Sequence, residues 1–274
     1  VPAREGTGDE SLASFATRRL GREAYESLVE PIVSGIFTAN PETLSMQATM
    51  PQFLNMEQKH GGLISGHWAA RRLDAAAAAK KASGARYDQF LAPRKGMNDW
   101  IKRLTEQLPA GCIHLSSGVS QLQQQPDTSW LVTTESGMLT ADAVVLALPA
   151  RKTANLLREP SPAAAEIVGG IDYASSAVVA LIVNKSEIAG RIDGFGLIVP
   201  RREGRKTLAI SYTSNKYAGR TPDDEILLRV FLGGALAPEV IDHSDRQLTS
   251  DAEREVRESN SVRTCRFFRY WDYC

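Results

Sequence analysis

Cysteine is scarce in this sequence, and the three that occur, Cys112, Cys265 and Cys274, have the spacing of neither a metal site nor a disulfide framework. So sparse and odd a set fits a reducing compartment, and a cytoplasmic location is expected. Histidine is nearly as rare: His60, His67, His114 and His243 are the whole supply, and no two stand at the helical interval of a zinc pair. No metal site is expected. An excess of charge of either sign is missing too. Lysine and arginine total 32, aspartate and glutamate total 32, which leaves no basic footprint for a nucleic-acid partner. Nothing approaches the roughly 20 apolar residues of a spanning helix, and the opening VPAREGTGDESLASF carries no signal-peptide run. Any membrane contact is expected to be peripheral.

Self-sufficient catalytic signatures are also lacking. There is no GxxxxGK followed by Ser or Thr, no HExxH, no CxxC and no GxSxG. GGLISG at 61–66 spaces its outer glycines like a phosphate loop. His67 and Trp68, however, stand where Lys and Ser/Thr would have to reach phosphate and metal, so it reads as a structural loop. Asp223-Asp224-Glu225, just before a β-prone run, reads as a solvated turn.

What is present is ordinary globular material, 274 residues with 43% apolar and 23% charged, enough to bury a sizeable core. From Asp9 to about residue 35, Leu12, Phe15, Ala16, Leu20, Ala24, Leu28 and Ile32 recur at helical steps, with Asp9 or Ser11 as cap and with Gly21 and Pro31 as breaks or bends. Helical faces continue through Leu44, Met46, Met50, Phe53, Leu54 and Met56, and again through Met97, Ile101, Leu104 and Leu108. The alanine run within RRLDAAAAAKKASGARYDQF suits a helix or an exposed excursion equally. Short β-prone runs then take over: CIHLSS, GVSQLQQ, SWLVTTES, GMLTA and DAVVLALPA, then, after a helix near 163–168, SSAVVALIVNK, GFGLIVP, KTLAISYTS and EILLRVFLGG. Residues 245–258 read as helix. Helix-rich first and strand-rich afterwards predicts an α+β or mixed α/β class.

The blocks SLASFATRRLGREAYESLVEPIVSGIFTANPETLSMQATMPQF, EQKHGGLISG and KGMNDWIKRLTEQLP stand in the order in which bacterial protoporphyrinogen oxidases carry them, and the collinear match runs to LRVFLGG near Gly234. On these blocks the chain resembles the protoporphyrinogen and coproporphyrinogen oxidases of the flavin-containing amine oxidase superfamily. The resemblance implies a helical domain of membrane-surface type over 1–108. It further implies a remnant of an FAD-binding domain over 109–160 and a substrate-binding β-sheet region over 161–258, leaving an atypical tail over 259–274. It implies FAD as cofactor, a porphyrinogen substrate oxidised to the porphyrin in haem biosynthesis, and dioxygen as electron acceptor. Peripheral contact with the inner face of the cell membrane and a homodimer belong to the same expectation. By the same carry-over, Val119 and the strand end through Ala147 and Pro149 would meet the cofactor, while Phe195, Gly196, Ile198 and Phe231 would line the pocket for the tetrapyrrole. A flat apolar substrate needs aromatic and aliphatic walls, and a glycine lets backbone approach closely.

The chain departs from the family pattern at both ends. The GxGxxG turn that binds the dinucleotide is absent, and Gly6-Thr7-Gly8 has no third glycine at the required place. The arginine that relatives set near the substrate's propionates has no counterpart; the basic turn Arg201, Arg202, Arg205 and Lys206 reads as a solvated hairpin tip. ESNSVRTCRFFRYWDYC resembles nothing in the family and reads as an out-of-frame ending, or else as an aromatic and basic tail that docks on membrane or partner. The expectation is an incomplete piece of the enzyme. The alternatives are an inactive truncated chain that keeps a tetrapyrrole-binding or interaction surface, and another flavin amine oxidase or desaturase.

Overall fold

The computed structural model describes residues 4, 8–69, 92–188, 192, 194–260 and 266–271, with 260 and 266–271 described by backbone alone. The alanine-rich stretch, Gly6-Thr7, Cys265 and Cys274 lie outside the described residues. The class is mixed α/β, as expected. Helices α1 (Leu12–Leu20), α2 (Arg22–Ala24), a π-helical turn (Tyr25–Val29), α3 (Glu30–Phe37), α4 (Met46–Thr49) and α5 (Pro51–His60) come first. After α6 (Met97–Glu106) follow strands β1 (Val119–Gln124), β2 (Trp130–Thr134) and β3 (Gly137–Ala141), then helices α7 (Ala150–Leu157) and α8 (Pro162–Gly169). The remainder is β4 (Ser176–Asn184), β5 (Gly196–Ile198), β6 (Thr207–Tyr212), α9 (Thr213–Lys216), β7 (Glu225–Gly233), α10 (Asp245–Asn260) and β8 (Arg266–Trp271). Two units result: Val1–Arg94 with Ala174–Cys274, and Lys95–Tyr173.

The first unit is built on an antiparallel sheet in the order β5-β6-β7-β4-β8. Its centre pairs β4 with β7 along their whole length, Ser176 opposite Gly233 and Asn184 opposite Glu225. Both strands alternate strictly between buried and half-buried residues, because successive side chains leave a strand on opposite faces. One face therefore collects Val179, Leu181, Val183, Leu228, Val230 and Ile210 into the core. Leu248, Ala252 and Val256 of α10 complete it, spaced four residues apart so that one helical face meets the sheet. A second cluster, Leu12, Phe15, Ala16, Val33 and Met46, holds the helices together.

Helix α1 starts as read, with Ser11 Oγ accepting from Ser14 N–H at 3.2 Å, and it stops at Gly21, whose φ of 88° a side chain would resist. Pro31, expected to bend the chain, sits in the first turn of α3. The π-helical turn ends immediately before it, with Glu30 N–H donating to Tyr25 O. A proline supplies no N–H to the turn behind it, and the widened turn absorbs that irregularity. GGLISG is structural, as read: Gly61 ends α5 in the left-handed region, and a Cβ on Gly66 would stand 2.6 Å from Met56 Cβ. The turn around Asp223 and Asp224 gives its carbonyls to Lys185.

Two expectations are corrected. CIHLSS is not a strand, and Leu115 within it is exposed. DAVVLALPA is not the buried strand that was expected: no strand is assigned between 143 and 149, and Val145 is 91% exposed. A strand buried on both faces needs neighbours on both edges, and none pairs with this segment among the described residues. Within the tail, Arg266–Trp271 forms β8 and pairs antiparallel with β4, Leu181 opposite Phe267.

The second unit is smaller. β1, β2 and β3 form an antiparallel meander, α7 packs against α8 and β1, and Leu122, Ala150, Ala154 and Ala165 are its buried apolar residues among those described. Among the described residues no helix is long and apolar enough to cross a membrane.

Candidate functional site

The face of the large sheet opposite its core is where the expected substrate residues meet. Alternation puts Arg229 and Phe231 of β7 on that face, since Val230 and Leu232 point to the core. The register sets Ala209 opposite Phe231 and Ser211 opposite Arg229, and in the next strand Gly196 opposite Ser211 and Ile198 opposite Ala209. Helix α3 packs over β5 and β6, contributing Ile32, Gly35 and Ile36. Between helix and sheet lies an open cavity of about 350 Å³ that Phe195, Gly196, Ile198 and Phe231 all line. Segments more than thirty residues apart in sequence thus supply one wall.

The helix is held over the cavity at both ends. At its C-terminal end Thr38 takes a left-handed conformation, and Ala235 N–H donates to Thr38 O at 3.0 Å, tying α3 to the chain leaving β7. At the other end Arg202 donates to Ser27 Oγ at 2.7 Å. The basic turn is exposed along 201–206, in keeping with the reading of a solvated tip, and it makes ion pairs as well. Arg205 donates to Glu255 at 3.1 Å and Glu258 at 2.7 Å, and Lys206 lies 4.0 Å from Asp251. The turn fastens α10 and the π-helical turn through Arg202, Arg205 and Lys206, and none of its four cations lines the apolar cavity.

Gly196 is needed for a different reason from the one expected. Its φ is 150°, and a Cβ there would lie 2.3 Å from Ile210 O. The close approach is that of β6's own backbone. Gly35 is the reverse case, because a Cβ there meets nothing within 4 Å.

Three cavity residues escaped the sequence reading. Arg229 is half-buried; its Nε donates to Thr213 Oγ1 at 3.1 Å and its guanidinium lies 5.7 Å from the Phe231 ring centre. Lys216, the last residue of α9, lines the same cavity, and partial burial, with Arg229 as a second cause, holds its ammonium below the ordinary lysine pKa. Ser211 is buried, and its hydroxyl has no hydrogen-bond partner among the described residues. An arginine inside the otherwise apolar run ILLRVFLGG, two residues before Phe231, is the signal that could have found this face.

A wider groove of about 870 Å³ lies on another side of α1 and the π-helical turn, lined by Arg18, Tyr25, Glu30, Glu42 and Arg201 among others. Burial, with Glu42 and Glu30 adding to it, pushes the Tyr25 hydroxyl up to about 12. Its lining mixes carboxylates and guanidiniums with Ala13 and Tyr25, so it is far more polar in proportion than the cavity beneath α3. A flat apolar ligand has more to gain from the smaller cavity.

The expected cofactor residues sit in the second unit and do not enclose anything. Val119 opens β1 opposite Thr134, whereas Ala147 and Pro149 are exposed and belong to no strand. None of the three lines a described cavity or presents an unpartnered buried polar atom. These residues do not by themselves fit a flavin. Among the described residues no group of three or more His, Cys, Asp or Glu is placed to hold a metal ion.

A family model described as flavin containing amine oxidoreductase matches residues 2–262, and the chain belongs to that family. It is 27% identical over 262 residues to the coproporphyrinogen III oxidase of Bacillus subtilis (strain 168), covering 96% of this chain and 55% of that protein. It is 28% identical over 266 residues to the chloroplastic protoporphyrinogen oxidase of Nicotiana tabacum, covering 91% and 48%. Among solved structures, a protein from Exiguobacterium sp. 255-15 provisionally assigned as a protoporphyrinogen oxidase superposes with a TM-score of 0.78 at 27% identity, over 98% of this chain and 55% of that one. A reduced UDP-galactopyranose mutase, at 13% identity and a TM-score of 0.63, shares the fold. The chain spans about half the length of the curated relatives it matches.

Proposed function

We propose that this chain carries the porphyrinogen-binding part of an FAD-dependent oxidase that converts a porphyrinogen to its porphyrin, with dioxygen as acceptor. The observation that carries the reading is the convergence of Phe195, Gly196, Ile198 and Phe231 on one cavity wall beneath Ile32 and Ile36. Aliphatic and aromatic side chains on two opposed surfaces suit a planar macrocycle, whose burial is favoured by the apolar area removed from water. The task of these residues is to bind, to orient the ring and to exclude water; no proton transfer is assigned to any of them. Relatives named for coproporphyrinogen and for protoporphyrinogen match at similar identity, so the macrocycle is left general in its side chains.

Gly35 supplies the test. A leucine there has open space before it and sits in a helix, where replacing glycine gains up to about 1 kcal/mol of propensity. Gly35→Leu is expected to keep or raise the melting temperature while abolishing the fluorescence change when coproporphyrin III is titrated into the purified chain. Undiminished binding by that variant would remove this cavity from the function.

The exposure of Ala147 and Pro149 favours a second statement about the chain by itself. Purified with added FAD, it is expected to retain no stoichiometric flavin, read from the visible spectrum after desalting. Tight yellow flavin would show that Lys95–Tyr173 encloses more than its described residues suggest.

A further inference from the structure

We propose that Lys216, Arg229 and Ser211 form a carboxylate-binding pole of the cavity beneath α3, which receives an acidic side chain of the bound tetrapyrrole. The inference rests on the porphyrinogen reading above and adds the recognition of a charged substituent to it. The cavity is lined mainly by apolar side chains, yet two cations enter it and, among the described residues, no acidic residue lines it. Lys216 has neither a hydrogen bond nor an ion pair among the described residues, and Arg229 uses only its Nε, on the neutral Thr213 hydroxyl. Positive charge gathered in a partly desolvated place without a counter-charge costs free energy. A site that tolerates this cost has its compensation in a ligand.

The geometry fits an anion rather than a merely polar group. Register sets Ser211 directly opposite Arg229 on the same sheet face, and the buried Ser211 hydroxyl at the cavity has no hydrogen-bond partner among the described residues. Thr213 holds the Nε edge and Phe231 one face of that guanidinium, which leaves its remaining N–H donors for a planar carboxylate. Lys216 adds a mobile point charge at the exposed edge of the cavity. Its pKa is lowered first by partial burial and then by Arg229, the second positive charge in the space. The basic turn at Arg201–Lys206 cannot supply this pole, because Arg202, Arg205 and Lys206 are engaged with Ser27, Glu255, Glu258 and Asp251.

The test compares coproporphyrin III with its tetramethyl ester, in the same dilute non-ionic detergent, by fluorescence titration of the purified chain. The two probes share the macrocycle and differ in charge. The chain is expected to prefer the acid by roughly tenfold, the scale of one charge-assisted hydrogen bond. Lys216→Met and Arg229→Met should each weaken the acid by about that factor and leave the ester unchanged, and Lys216→Arg should restore the preference. Lys216 is exposed and its side chain has no hydrogen bond or ion pair among the described residues, so its variant leaves the fold's polar contacts intact. Equal affinity of the chain for acid and ester, or equal loss of both ligands in Arg229→Met with no effect of Lys216→Met, would overturn the pole while leaving the porphyrin reading intact. Failure of the chain to bind either probe would overturn that reading, and the pole with it.

Discussion

The two units spend the same kind of sequence differently. In the first, the apolar runs of β4 and β7 are paired along their length, and Val179, Leu181, Leu228 and Val230 are fully buried. In the second, the equally apolar run Val144–Leu148 has no strand assignment, and Val145 and Leu148 are exposed. Helix α6 repeats the lesson. Met97, Trp100, Ile101 and Leu104 make a regular helical stripe, and all four are about half exposed. Periodicity in sequence therefore specifies a face, and only a partner turns that face into a core.

The sharpest way to break the comparison is a matched pair of truncations. Leu228→Ala is expected to cost about 3 kcal/mol in urea denaturation, through lost transfer energy and the cavity left behind. Leu139→Ala in β3, where the leucine is 52% exposed, should cost less than about 0.5 kcal/mol. Similar losses at the two sites would mean that the meander is packed as firmly as the large sheet.

These same residues show why part of the molecule was legible. β4 and β7 announce themselves as long β-prone apolar runs, whereas Phe231 was placed on a wall by resemblance alone, and only the burial of Val230 and Leu232 shows which face it occupies. Ile32 was read as part of a helical face, but only the packing of α3 over β5 and β6 tells what that face covers. Lys216 and Arg229 were unreadable as a pair, since α9 and β7 meet only after the intervening chain has turned back. The run through Val145 misled because a buried parallel strand and an unpaired apolar segment look alike until their neighbours are known.

A smaller effect is expected from the ion-pair network that ties α5 to α1 in the first unit. Glu57 is buried and takes Arg18 at 2.5 and 3.1 Å, with Arg19 against the same carboxylate; Glu10 takes Arg18 at 2.7 Å. The hydrogen bonds from Arg18, helped by Arg19, hold the Glu57 carboxyl below the ordinary glutamate value of 4.5. A depressed folded-state pKa stabilises at pH above the unfolded value and is lost as pH falls through the folded one. Glu57→Gln should therefore cost about 2 kcal/mol at pH 7, less than a fully buried pair because Glu10 still serves Arg18. The gap to the parent chain should close steadily as pH falls below about 4.5. A constant gap between pH 7 and 3 would assign the loss to packing rather than charge.

The smallest expected effect probes the second unit's side of the contrast. Val145→Thr keeps the side-chain shape and adds a hydroxyl, which a core would resist and water accepts. With Val145 exposed as it is, the change should move stability by less than about 0.5 kcal/mol. Backbone amides of 144–148 should exchange with solvent at once, while those of β4 and β7 exchange only on global unfolding. A penalty above about 1 kcal/mol, together with slow exchange at 144–148, would have a definite meaning: this apolar segment is covered in solution, by another copy of the chain or by a flavin-bearing partner, and the difference between the two units is one of missing neighbours rather than of intrinsic order.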